Sequence, residues 1–298
     1  MWLLALLLLA DSTNGLVVPV APGESLHATV TGQGDPVVLI PGLFGSTFAF
    51  RNVVPPLVEA GYRVIIVEPL GIGASARPKH ADYSLTAQAD RIATVLDSLG
   101  VRDAILVAHS LGASMALRLA YRRPELGRAI LSLEGGPTEA ATTPSFRRAM
   151  RFAPLIKLFG GVGLVRNKVR SGLIAASGDP SWITDATVDG YTAGAVADLD
   201  GTLGAFVGMA KAREPEQLAA NLGRIRCPVL LLVGTAPHEA AVPQADIAEL
   251  QQGLRAFTID SVSSSGHYIH EEQPGAVVAA VARLRAWLLQ RSGARSTT

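Results

Sequence analysis

Ser110 lies in the stretch VAHSLGASMALRLAYRRP, between an apolar run and a segment of helix length. Ala108 and Gly112 stand two positions before and after it, so the serine has small neighbours on both sides. A sharp turn from a strand into a helix strains the residue at its apex and leaves no room for large flanking side chains. Such a turn lifts the hydroxyl above the sheet edge, at a helix N-terminus that favours developing negative charge. The pattern predicts a nucleophilic serine, and the alternative is an ordinary helix N-cap.

Continuous apolar runs rich in β-branched residues are the strands expected to position this serine. Five of them, bounded by Gly, Pro or Ser, lie at 36–42, 62–69, 103–110, 128–136 and 227–234. Because they do not alternate with polar residues, we expect strands covered on both faces, as in a parallel sheet.

Segments with helical patterns lie between these runs, which predicts βαβ units. They fall around 51–60, 86–99 and 111–122. We also expect an antiparallel hairpin arm at 24–34, a last strand at 254–260 and a closing helix at 274–290.

The segment 138–222 contains no clear buried strand and predicts an inserted helical cap between core segments 15–137 and 223–292. Its charges are divided: seven basic and no acidic residues lie between Arg147 and Arg170, and five acidic and no basic residues between Asp179 and Asp200. Apolar residues accompany the basic half, namely Phe146, Met150, Phe152, Leu155, Ile156, Leu158 and Phe159. We expect this half to pack over the site, and the alternative is weak contact with a membrane surface or an anionic substrate.

Composition limits the classes of partner. Hydrophobic residues make up 49% and charged residues 17% of the 298 residues, so a large core is easily filled. The formal net charge of +1 argues against nucleic acid, whose binding needs a marked basic excess. The apolar run 2–10 is too short for a bilayer, which takes about 20 residues. It predicts a signal peptide over 1–14 and a secreted or periplasmic protein; the alternative, since no basic residue precedes the run, is an N-terminal apolar segment of a cytoplasmic protein.

Several motifs together resemble the α/β-hydrolase family, in its cap-bearing branch with haloalkane dehalogenases, epoxide hydrolases and many small esterases. They are GQGDPVVLIPGLFGS, VEPLGIGASARP, YSLTAQADRIATVLDSLGV, VAHSLGASMALRLAYRRPE and SGHYIHEEQP, within about 24–289. The resemblance implies a mostly parallel central sheet flanked by helices, with an inserted helical cap and without a cofactor or metal. Pro41, Ala108 and Glu68 depart from the family's usual residues, and none of these changes removes a catalytic group.

Serine at the nucleophile position indicates acyl transfer. The dehalogenases and epoxide hydrolases that this chain resembles attack with a carboxylate. A serine ether formed by alkyl transfer would be a dead end, whereas water can hydrolyse a serine ester. The sequence therefore predicts hydrolysis of a small-molecule carboxylic ester with an apolar acyl or alcohol part, through an acyl-enzyme. Alternatives are a thioesterase, a lactonase or a carbon–carbon bond hydrolase with the same residues, or a non-catalytic receptor on this fold.

The resemblance also implies the residues that assist Ser110. His267 in SSSGHYIHEEQP matches the family's general base, which accepts the hydroxyl proton. The N–H groups of Leu111 and Leu43 match the two oxyanion donors, with Phe44 as the near alternative to Leu43.

The other histidines have no predicted catalytic role. His109 is expected to pack or hydrogen-bond beneath the site, and His270 to lie at the start of a helix. His27, His80 and His238 are expected at the surface.

The carboxylate that orients the base is missing from its usual place. In this family it mostly follows the strand of 229–233, where this chain has Ala236 and Pro237. The resemblance to some haloalkane dehalogenases favours Glu134, at the end of the preceding strand, because neighbouring parallel strands deliver their ends to one edge. Glu239, later in the same loop, is the alternative acid.

Overall fold

A central sheet of eight strands organises the computed structural model, which describes residues 15–152 and 161–295. The strands are β1 Leu16–Ala21, β2 Glu24–Thr31, β3 Asp35–Ile40, β4 Tyr62–Val67, β5 Ala104–His109, β6 Gly127–Leu133, β7 Val229–Gly234 and β8 Phe257–Val262. Their order is β1-β2-β4-β3-β5-β6-β7-β8. β2 pairs antiparallel with β1 and β4, and the remaining pairs are parallel. The predicted α/β fold class is confirmed.

Ten α-helices accompany the sheet in the described part of the chain. They are α1 Val54–Glu59, α2 Leu85–Ser98, α3 Leu111–Arg122, α4 Pro144–Met150, α5 Gly161–Ala176, α6 Asp185–Ala197, α7 Leu199–Lys211, α8 Gln244–Gly253, α9 Ile269–Glu272 and α10 Pro274–Arg295. None of the described helices is both long enough and apolar enough to cross a bilayer.

Both faces of the sheet are buried, which is why its strands are apolar without alternation. Along β5, Leu106 joins the apolar cluster that contains residues of α2, α3 and α8, whereas Ile105 joins a second cluster with residues of α1 and α10. All six residues of β5 are buried. The strand that leads to Ser110 is therefore held from both sides.

The segment between β6 and β7 contributes helices α4 to α7 and, among its described residues, no strand. Residues 153–160 lie outside the described chain, and with them Leu155, Ile156, Leu158 and Phe159 of the predicted apolar face. The predicted N-terminal segment 1–14 lies outside it as well. The division into a core and a cap stays a prediction.

Candidate active site

Ser110 occupies a strained turn at the end of β5. Its backbone angles are φ 53° and ψ −120°, and helix α3 begins at the next residue. Its N–H donates to the carbonyl oxygen of Leu133 at 2.9 Å, which ties the turn to the end of β6. A Cβ on Gly112 would lie 2.5 Å from the carbonyl oxygen of Ile40, so the turn needs a residue without a side chain there. The small residue at position 112 thus has the steric reason that the sequence predicted.

The loop after β3 lies against this turn. A Cβ on Gly42 would stand 3.1 Å from the Cβ of Ser110. Leu43 follows Gly42 directly and Leu111 follows Ser110, so both predicted oxyanion donors are next to the points of contact. Neither N–H donates a hydrogen bond to another described residue. Their role in holding an oxyanion stays a prediction.

Glu134 directly follows β6 and lies beside the serine turn. It also has a positive φ, 49°, and only 3% of its surface is exposed. Its carboxylate accepts hydrogen bonds from the N–H of Gly234 at 2.5 Å and from the N–H of Val242 at 3.3 Å. Burial raises the pKa of Glu134, and these two N–H groups together with His238 act in the opposite direction. These two hydrogen bonds connect the end of β7 and the loop after it to the Glu134 carboxylate.

His267 lies in the loop between β8 and α9 and is buried. Its N–H donates to the carbonyl oxygen of Ala176, at the end of α5. One of its ring nitrogens lies within 4.8 Å of a carboxylate oxygen of Glu134. Burial above all, with His109 and His238 nearby, lowers the pKa of His267 well below its ordinary value. The imidazole is therefore neutral at neutral pH, which is the form that accepts a proton.

Of the two candidate acids, only Glu134 is a buried neighbour of the imidazole. Glu239 is exposed, and its N–H donates to the carbonyl oxygen of Ala175. The structure thus brings Ser110, His267 and Glu134 to one edge of the sheet. That they act as a triad stays a prediction.

His238 is not at the surface, and the prediction that placed it there is wrong. Its side chain is 2% exposed, and its Nε2 lies 3.7 Å from Oε2 of Glu134. Its Nδ1 lies 2.8 Å from the carbonyl oxygen of Ala236. The loop after β7 turns inward because the N–H of Ala236 donates to the carbonyl oxygen of Ser265, a contact between segments distant in sequence. The residues around His238 in the sequence form no pattern that predicts its buried position.

His27 also differs from its predicted surface position. Its side chain is 16% exposed, and its Nδ1 lies 3.0 Å from Oε2 of the buried Glu68. Glu68 in turn accepts hydrogen bonds from the N–H groups of Thr47 and Ala74. The glutamate that replaces the family's commoner aspartate therefore joins β2 to the loops after β3 and β4. His80 is exposed, as predicted.

His109 packs against the base, as predicted, and His270 lies at the start of α9, as predicted. The Nε2 of His109 lies 3.1 Å from the carbonyl oxygen of His267, so this nitrogen carries the proton. The rings of His109 and His270 are 4.4 Å apart between centroids. Burial lowers the pKa of both, to about 3 for His270. Both rings are therefore neutral, and His109 packs against His267 on one side and His270 on the other.

Three phenylalanine rings lie together near the loop after β3. Phe44 of that loop, Phe146 of α4 and Phe206 of α7 pack edge to face, with centroids 5.5 to 5.9 Å apart. Phe44 remains 37% exposed. An apolar surface is thus available beside the predicted oxyanion loop.

A groove of about 450 Å³, which we call the basic groove, lies between α4 and α7. Its lining combines four cationic side chains with apolar ones: Pro144, Arg147, Arg148, Met150, Arg151, Val207, Ala210 and Lys211. None of these residues belongs to the predicted catalytic set. Contact of this part of the chain with a membrane stays a prediction.

A family model described as alpha/beta hydrolase fold matches residues 35–160. The strand order, the strained serine turn and this match agree, and the chain has the α/β-hydrolase fold. It is similar to bifunctional epoxide hydrolase 2 of Sus scrofa, with 36% identity over 122 residues, which are 41% of this chain and 22% of that protein. The chain therefore spans only about a fifth of that relative's length.

Solved structures show the same fold over most of the chain. The epoxide hydrolase CorEH superposes with a TM-score of 0.76 and 21% identity, covering 92% of this chain and 99% of CorEH. The esterase EaEST of Exiguobacterium antarcticum superposes with a TM-score of 0.74 and 17% identity, covering 91% of this chain and 100% of the esterase.

Proposed function

We propose that the protein is a serine hydrolase that cleaves carboxylic esters through an acyl-enzyme intermediate. The observation that carries the proposal is the conformation of Ser110, held at φ 53° between β5 and α3. A non-glycine residue keeps such a conformation only when its surroundings enforce it, and such strain concentrates at functional sites. The buried His267 and Glu134 on the same edge of the sheet are the second support.

The reaction begins with proton transfer from Ser110 to His267 as the serine oxygen attacks the ester carbonyl carbon. The carbonyl oxygen becomes an oxyanion, which the N–H groups of Leu43 and Leu111 stabilise. When the carbon–oxygen bond to the alcohol breaks, His267 returns its proton to the leaving alkoxide. Water, activated by His267, then attacks the serine ester and releases the acid and free Ser110.

Glu134 supports the charged state of the base. His267 is neutral before the reaction and becomes an imidazolium while it holds the serine proton. The carboxylate within 4.8 Å stabilises that positive charge and fixes the orientation of the ring. Because both groups are buried, solvent weakens this attraction little.

Serine chemistry favours an ester over an epoxide, even though two of the compared proteins are epoxide hydrolases by name. Attack of Ser110 on an epoxide carbon would leave an ether, which water does not readily cleave. Attack on a carbonyl leaves an ester, which a second round of the same acid–base chemistry hydrolyses. The name of the esterase EaEST, a protein of the same fold, agrees with this choice.

The cluster of Phe44, Phe146 and Phe206 supports an apolar group on the substrate. The exposed part of Phe44 lies two residues from Gly42, which contacts the serine turn. Burial of an acyl or alcohol chain against these rings would contribute about 25 cal/mol per Å² of apolar surface. Esters with longer aliphatic chains should therefore bind better than acetyl esters.

Labelling with a fluorophosphonate probe tests the proposal. We expect the folded protein to be labelled covalently, and Ser110→Ala to lose all labelling. Ser263→Ala, which changes an exposed serine, is the matched control and should be labelled like the wild type. Hydrolysis of aryl esters of graded chain length then measures the acyl preference. A folded wild-type protein that neither reacts with the probe nor hydrolyses any ester would contradict the proposal and favour a non-catalytic binding protein.

A further inference from the structure

Two buried imidazole nitrogens next to the Glu134 carboxylate have no hydrogen-bond partner in the described chain. They are Nε2 of His238 and Nδ1 of His267. One ring nitrogen of each histidine and one oxygen of Glu134 all lie within 4.8 Å of one another. Buried polar atoms are normally paired, so a cluster of unpaired ones needs an explanation.

The tautomer of His238 makes the cluster electron-rich. Its Nδ1 lies 2.8 Å from the carbonyl oxygen of Ala236, which can only accept, so Nδ1 carries the proton. In the neutral ring Nε2 then presents a lone pair to Oε2 of Glu134 at 3.7 Å, whereas a proton on Nε2 would make His238 a partner that lowers the pKa of Glu134. When a nitrogen lone pair and a carboxylate face each other in a buried site, the arrangement is favourable only if a proton or a cation lies between them.

A backbone carbonyl on the second nitrogen is also the usual arrangement around a metal-binding histidine. It fixes the tautomer, orients the ring and raises the basicity of the nitrogen that binds the metal. For His238 the Ala236 carbonyl occupies this position. The ring is therefore organised to bind a cation through Nε2.

We propose that Glu134, His238 and His267 form a binding site for Zn²⁺, and that zinc inhibits the enzyme. Zinc binds histidine nitrogen at about 2.0–2.1 Å and carboxylate oxygen at about 2.0–2.2 Å, so two ligands on a tetrahedral ion are about 3.3 Å apart. The 3.7 Å between Nε2 of His238 and Oε2 of Glu134 is close to this value. The ligand atoms of the three residues lie within 4.8 Å of one another, so a modest rotation of a ring would bring all three to binding distance. A water molecule would complete the four ligands.

The donor set selects the type of metal. Two imidazoles and one carboxylate suit zinc and its transition-metal neighbours, whereas Mg²⁺ and Ca²⁺ prefer oxygen ligands throughout. Mg²⁺ should therefore not compete.

Inhibition rests on the proposed function. A zinc ion on His267 occupies a lone pair of the general base, and on Glu134 it neutralises the charge that stabilises the imidazolium. Ser110 would then have no group to accept its proton. Because protons compete with the metal for the same atoms, zinc should bind more weakly as the pH falls.

Zinc binding can be measured without turnover, by competition with a chromogenic chelator. We expect Ser110→Ala, which lacks the nucleophile, to bind one Zn²⁺ per chain as tightly as the wild type. His238→Asn, or His238→Gln if the first variant does not fold, should raise the dissociation constant more than about tenfold. His80→Asn changes an exposed histidine and should leave it unchanged. Co²⁺ bound to the wild-type protein should show the strong visible absorption of a tetrahedral site.

The two proposals fail in different ways. If wild-type protein hydrolyses no ester but binds zinc through His238, the proposed hydrolase is wrong and the metal site stands. Equal zinc affinity in wild type and the His238 variants, or a weak octahedral Co²⁺ spectrum, would overturn the zinc site whatever the activity.

Discussion

Replacing Glu134 with Gln removes a buried negative charge and nearly preserves the shape of the side chain. The carboxylate oxygen lies within 4.8 Å of a ring nitrogen of His267. At an effective dielectric constant of about 20, two unit charges at that distance attract by about 3.5 kcal/mol. Since about 1.4 kcal/mol corresponds to a factor of ten in rate, kcat/KM should fall by about 300-fold or more.

The same substitution should also lower stability. Glu134 accepts from two backbone N–H groups, of Gly234 and Val242. Glutamine offers one acceptor oxygen, so one of these donors would face an NH₂ group. Loss of that buried hydrogen bond should cost about 1–3 kcal/mol in the free energy of unfolding.

Steady-state hydrolysis of an aryl ester measures the first effect, and urea unfolding measures the second. Glu239→Gln is the matched control, because Glu239 lies in the adjacent loop but is exposed, and its kcat/KM should remain within about twofold of wild type. The reasoning would be refuted by the reverse result, in which Glu239→Gln abolishes turnover while Glu134→Gln behaves like wild type.

Three further predictions follow from burial, steric fit and charge. His109, His267 and His270 have lowered pKa values in the folded protein, so below a pH of about 6.5 the unfolded chain binds more protons than the folded one. Each of these histidines can therefore reduce the free energy of unfolding by up to about 1.4 kcal/mol for each pH unit of acidification. A denaturation midpoint that is unchanged from pH 7.5 to 5 would contradict this. Gly112→Ala places a Cβ 2.5 Å from a carbonyl oxygen and should destabilise by about 1–3 kcal/mol, whereas Gly204→Ala, with open space around the added carbon, should not destabilise in thermal unfolding. Through the basic groove, the protein should co-sediment weakly with anionic vesicles, and high salt should abolish this binding. Co-sedimentation that does not depend on vesicle charge would rule out membrane contact at the groove.

The strands and the serine turn could be predicted because their causes are local. An apolar run without alternation predicts a strand covered on both faces, and the run 103–110 became β5 Ala104–His109, buried at every position. The small residue at 112 predicts a tight turn because a larger one would collide with the neighbouring strand, and the contact with Ile40 shows that collision. Both inferences need only residue volume and hydrophobicity along a short stretch.

The position of His238 could not be predicted in this way. The loop after β7 has no hydrophobic periodicity, and its direction depends on partners far along the chain. Ala236 is held by Ser265, and Glu239 by Ala175. These contacts place His238, which the sequence predicted at the surface, beside the Glu134 carboxylate.

By itself, the sequence determined a parallel α/β sheet, the strand-to-helix turn at Ser110 and two candidate carboxylates for its base. Only the tertiary structure decided which carboxylate is the buried neighbour of His267. The end of β6 is placed by its hydrogen-bonded register with β5 and β7, which leaves Glu134 inside, whereas Glu239, in the loop after β7, is exposed to water. Burial of a charge depends on what packs around it from distant parts of the chain, and that information exists only once the chain has folded.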